Sequence, residues 1–101
     1  MQFGVSSYSF FKLIRSDRMT LLDIIPKAKE IGFDVIEFST LIIPEGQTPL
    51  TFAPRIREAC DKAGLPIVNY TIGADFLCGS GGDWKAEAER LKNELQIARI
   101  F

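Results

Sequence analysis

A carboxylate sits near the end of the apolar run Val35-Ile36-Glu37-Phe38. Burying such a group without a partner is costly. Glu37 is therefore expected to accept hydrogen bonds from substrate hydroxyls, to act as an acid or base, or to be satisfied by backbone amides or a nearby base. Ser7 and Asn69 fall in the same layer as Glu37 when side chains alternate along each strand. Neutral donors and acceptors beside a carboxylate suit a polyhydroxylated ligand; they serve equally well to satisfy loop backbone groups. Tyr8 and Phe10 could stack on a sugar face or pack against helices, and a one-residue slip of register exchanges Ser7 for Tyr8.

Other chemistry is sparse. The chain has no histidine, so these residues offer neither a His-based metal site nor a His-based triad. Cys60 and Cys78 lack zinc or redox spacing. Cys60 occupies an apolar helical position and reads as a small core residue. Cys78 lies beside glycines and reads as a free thiol, and a reducing, cytoplasmic setting is expected. Gly79-Ser80-Gly81-Gly82 could cradle a phosphate with backbone amides. It lacks the lysine and threonine of a fuller phosphate loop and reads as a flexible turn. Lys12, Arg15 and Arg18 read as a solvated basic loop. Twelve basic residues against 13 acidic ones, net charge −1, leave no long-range field for nucleic acid or an anionic membrane. No apolar stretch is long enough for a membrane span, and no signal peptide pattern opens the chain.

The elements that must position these side chains follow a repeat. Ala28-Lys29-Glu30-Ile31-Gly32 runs into Phe33-Asp34-Val35-Ile36, and Ala59-Cys60-Asp61-Lys62-Ala63-Gly64 runs into Leu65-Pro66-Ile67-Val68. Both read as helix end, glycine cap and apolar strand, one period of about thirty residues apart. Strands are expected at about 3–10, 33–39 and 67–72, and helices at about 20–31, 51–63 and 83–100. Pro26 predicts a kink or a late start in the first helix. Trp84, Ala88, Leu91, Leu95 and Ala98 mark the expected buried stripe of the last. Alternating strands and helices mean a parallel sheet, here one α/β domain over residues 1–101. Alternation places Phe3, Val5 and Ser7 on one face with Val35, Glu37, Ser39, Ile67, Asn69 and Thr71. That face is apolar at the start of each strand and polar at the end, as the inside of a β/α barrel must be. The expected architecture is a partial TIM barrel comprising the first three of eight βα units.

Gly4-Val5-Ser6-Ser7-Tyr8-Ser9-Phe10, together with the Ala28 to Phe38 element of pattern Ala-x-x-x-Gly-Phe-Asp-x-x-Glu, resembles the start of the sugar phosphate isomerase/epimerase family. Ile67-Val68-Asn69-Tyr70-Thr71 also fits its third strand. The resemblance implies a xylose isomerase-like TIM barrel whose full-length form uses a divalent metal (Mg, Mn, Co or Zn) to move a carbonyl along a sugar or invert a carbon beside it. It implies metal ligands and acid/base carboxylates on later strands. This chain alone is thus expected to bind no metal and to be inactive by itself. Only Glu37 carries over, as a substrate-side or structural carboxylate; Ser7, Tyr8 and Asn69 are sugar-contact candidates from the strand reading above, not from the resemblance. The expected partners are a sugar or sugar phosphate, and either the remainder of the barrel or further copies of the chain. The alternative is a non-catalytic oligomeric or ligand-binding β/α module completed by a partner chain.

Overall fold

The computed structural model describes residues 1–101. Three short parallel strands lie in sequence order: β1 (Gly4–Ser6), β2 (Val35–Phe38) and β3 (Ile67–Tyr70). Four helices accompany them: α1 (Phe11–Arg15), α2 (Ile24–Ile31), α3 (Pro49–Ala63) and α4 (Trp84–Ile100). The protein is thus an α/β fold with a three-stranded parallel sheet. No helix is long and apolar enough to cross a membrane.

Local chemistry explains the helix boundaries. Thr48 and Thr51 form a reciprocal capping box ahead of α3, with Pro49 in the first turn, where its missing N–H costs nothing. Asp83 caps α4 by accepting from the Lys85 and Ala86 amides. Gly32 (φ 116°) ends α2 and Gly64 (φ 66°) ends α3, both in the left-handed region that glycine enters freely. Pro26 is the third residue of α2, so the helix starts late and its missing donor would have been unpaired anyway.

One hydrophobic core lies between the sheet and the helices. Ile36 and Phe38 of β2 are fully buried there against Ile24, Ile25 and Ala28 of α2 and Phe52, Ile56 and Cys60 of α3. Phe101 adds its ring to those of Phe38 and Tyr70, with centroids 5.5 and 5.2 Å away. Its carbonyl accepts from Arg57 Nη1 at 2.7 Å.

The structure corrects several expectations. The first strand ends at Ser6, not near residue 10, because Ser7–Phe10 forms a 3-10 turn capped by Ser6 Oγ and runs directly into α1. The first expected helix begins at Ile24 rather than at residue 20, after a turn in which Thr20 and Asp23 bond each other reciprocally. The register pairs Gly4 with Val35, Val5 with Ile36, and Ser6 with Glu37. Val5 therefore packs on the helix side with the core, and Gly4 and Ser6 share the open face with Val35 and Glu37. β3 carries a bulge: Ile67 pairs with Ile36 but Asn69 pairs with Glu37. The extra residue, Val68, is pushed out to 61% exposure while Ile67 turns to the core. On α4 the inward stripe is Glu87 and Ile97; Trp84 and Leu95, expected inside, are exposed.

Candidate functional site

On the face of the sheet away from the helices, Glu37 stands at the carboxyl end of β2. The bulge in β3 brings Asn69 level with it. Asn69 Nδ2 donates to Glu37 Oε2 at 2.9 Å and to Thr71 Oγ1 at 3.0 Å; Thr71 Oγ1 lies 3.5 Å from the same carboxylate oxygen. Ser6 flanks Glu37 from β1. The Asn69 amide foremost, then the Ser6 hydroxyl, holds the Glu37 carboxyl below its ordinary value; Thr71 adds to this, and partial desolvation opposes it. A carboxylate kept ionised by neutral donors is a strong hydrogen-bond acceptor and a poor proton donor at neutral pH. The Asn69 and Thr71 contacts both fall on Oε2.

The candidate residues do not all converge. Glu37 and Asn69 meet. Ser7 does not join them: it is 2% exposed on the other side of the sheet, where its Oγ accepts from the Ser39 amide at 3.1 Å. Its place in the layer is taken by Ser6, because the chain leaves the strand one residue earlier than alternation assumes. Tyr8 is exposed and stacks on Phe11 at 5.6 Å, and the Arg15 guanidinium lies over the Phe11 ring, 4.4 Å from its centroid. Thr71 and Ser6 were not singled out as site residues, although the polar ends of β1 and β3 were the available signal.

A second constellation, absent from the sequence reading, clasps the loop after β3. Glu87 is buried; its carboxylate accepts from Ser80 Oγ (2.8 Å), the Asp75 amide (3.3 Å) and Arg90 (2.6 and 3.1 Å). Arg90 also donates to the Gly73 carbonyl at 2.5 Å, and Tyr70 donates its hydroxyl to Glu94 at 2.5 Å. The glycine-rich turn is therefore built around a carboxylate. A Cβ on Gly79 would lie 2.8 Å from it, and an anionic phosphate would meet its charge. The spacing Glu87-x-x-Arg90-x-x-x-Glu94 was visible, but such spacing usually marks a solvated helix face.

No three His, Cys, Asp or Glu side chains converge to hold a metal ion. Glu37 offers one carboxylate among neutral groups, which does not make a divalent-cation site from this chain's residues. No protein-family model, curated protein or solved structure matches the chain.

Proposed function

We propose that this chain is the amino-terminal part of a β/α barrel of the sugar isomerase or epimerase type, in which Glu37, Asn69, Thr71 and Ser6 form part of the sugar-binding floor. One observation carries the reading. An ionised carboxylate, an amide and two hydroxyls sit together at the carboxyl ends of parallel strands, on the face without helices. That is where β/α barrels hold ligands, and the group matches the donor and acceptor pattern of a polyol. The role assigned to Glu37 is to accept a substrate hydroxyl, with Asn69 fixing its orientation. In such a barrel metal ligands and acid/base groups would come from other strands.

The second reading is a ligand-binding module completed by a partner chain. The unpaired outer edges of β1 and β3 favour it.

The test is the reading frame around this segment and the activity of its product. Five more β/α units with Glu, Asp and His at strand ends are expected. That product should isomerise or epimerise members of a panel of free and phosphorylated sugars when Mg, Mn, Co or Zn is supplied. Glu37→Gln should lower its kcat/KM about tenfold or more. Sugar binding without turnover in a product that ends at Phe101 would support the module instead.

A further inference from the structure

On the helix side of the sheet, a cavity of about 360 Å³ opens between the segment after α1, the loop after β2 and helix α3. This size lies at the low end of natural small-ligand sites, roughly 300–1,000 Å³. Ile14, Leu21 and Phe52, all nearly or fully buried, make its apolar floor. Three charged residues, Asp17, Glu45 and Arg55, line it as well, and all three are exposed. The ion pairs of the structure all fall elsewhere, on α2, α3 and α4, and none involves these three. Arg55 instead rests its guanidinium 5.7 Å from the centroid of the Phe52 ring, linking the charged mouth to the floor. Asp17 is one of two non-glycine residues with positive φ (58°), in the turn that closes α1.

We infer that this cavity is a binding site for a free amino acid with an apolar side chain. The chemistry selects the class. A carboxylate pairs with Arg55, an ammonium with Asp17 or Glu45, and a branched or aromatic side chain fills the floor. A simple carboxylic acid would satisfy the arginine but face two uncompensated acids. A simple amine would pair with one acid but forgo the contact with Arg55. The volume accommodates one residue-sized ligand. The site is independent of the sugar reading, since it lies on the opposite side of the sheet.

The test is a titration of the 15N-labelled 101-residue chain, followed by amide chemical shifts. L-leucine or L-phenylalanine should give saturable shifts confined to residues 14–22, 42–47 and 52–55. Glycine, 4-methylpentanoate and isoamylamine should each bind at least about tenfold more weakly, having lost the side chain, the ammonium or the carboxylate. Arg55→Gln, an exposed substitution, should weaken leucine about ten- to a hundredfold while the rest of the spectrum stays in place. Should that variant disturb the fold, Glu45→Gln and Asp17→Asn provide the same comparison. Absence of saturable shifts with either amino acid, equal binding of 4-methylpentanoate, or unchanged leucine affinity in the charge variants would overturn the assignment.

Discussion

At the scale of single residues, polar side chains here divide into those gathered on the open face of the sheet and those that satisfy the chain's own backbone. Ser7 belongs to the second group. Ser7→Ala would strand the Ser39 amide in a partly buried position, at a cost of about 1–3 kcal/mol. Urea unfolding should show it as a lower midpoint with an unchanged slope. Asn69 acts on Glu37: Asn69→Ala removes the main donor that keeps the carboxyl low. The Glu37 pKa should then rise toward the ordinary carboxylate value, readable from its side-chain 13C shift against pH; no change would mean the amide is not its partner. The two cysteines should differ sharply in reactivity. Burial, reinforced by Asp61, pushes the Cys60 thiol up to about 12, whereas Cys78 is exposed. One thiol should react with a disulfide reagent in the native protein at pH 8 and two in denaturant. Two fast thiols in the native state would contradict the packing of α3.

At the scale of elements, the loop after β3 depends on a clasp made by α4. Arg90 first, then Ser80 and the Asp75 amide, hold the Glu87 carboxyl down to about 2 against the pull of burial. The folded value lies below the unfolded one, about 4.3. The clasp therefore stabilises fully above about pH 5 and is lost as pH falls toward 2. Unfolding midpoints measured across that window should fall more steeply for the wild type than for Glu87→Gln. Parallel pH curves would remove Glu87 from the account. Most element positions were legible beforehand. The glycine caps and the apolar runs at Val35 and Ile67 report directly on backbone conformation and burial, and local rules govern both. The slips came where local rules compete. Phe3 to Phe10 is apolar enough for a strand, yet Ser6 caps a 3-10 turn instead. One inserted residue at Val68 reverses the faces of Ile67, and no alternation pattern encodes a bulge. The stripe on α4 was misplaced because hydrophobicity alone was counted, while an ion-paired ladder turned inward. For the site, Glu37 and Asn69 were legible and Ser7 was not, through that same early end of β1.

At the scale of the whole molecule, the core is one-sided. Its Cα radius of gyration is 14.4 Å and its extents are 43 × 30 × 21 Å, against about 13 Å for a globule of 100 residues. The chain is a slab with helices on one face, and the other face carries Gly4, Val35, Val68 and the Glu37 cluster. Taken alone, the 101-residue chain is expected to self-associate, giving a light-scattering mass that rises over roughly 10 μM to 1 mM. A strict monomer that melts cooperatively across that range would show that the open face needs no cover, and would count against the barrel reading.

The packing also has a kinetic side. β1 pairs with β2 and β2 with β3, while α2 packs on α3 and α3 on α4. Each unit touches the next one along the chain and skips none. Loop closure before each contact thus spans one repeat within these 101 residues. This three-unit segment can zip up from either neighbour of α3, and its rate of assembly should follow the length of one repeat more than the length of the segment.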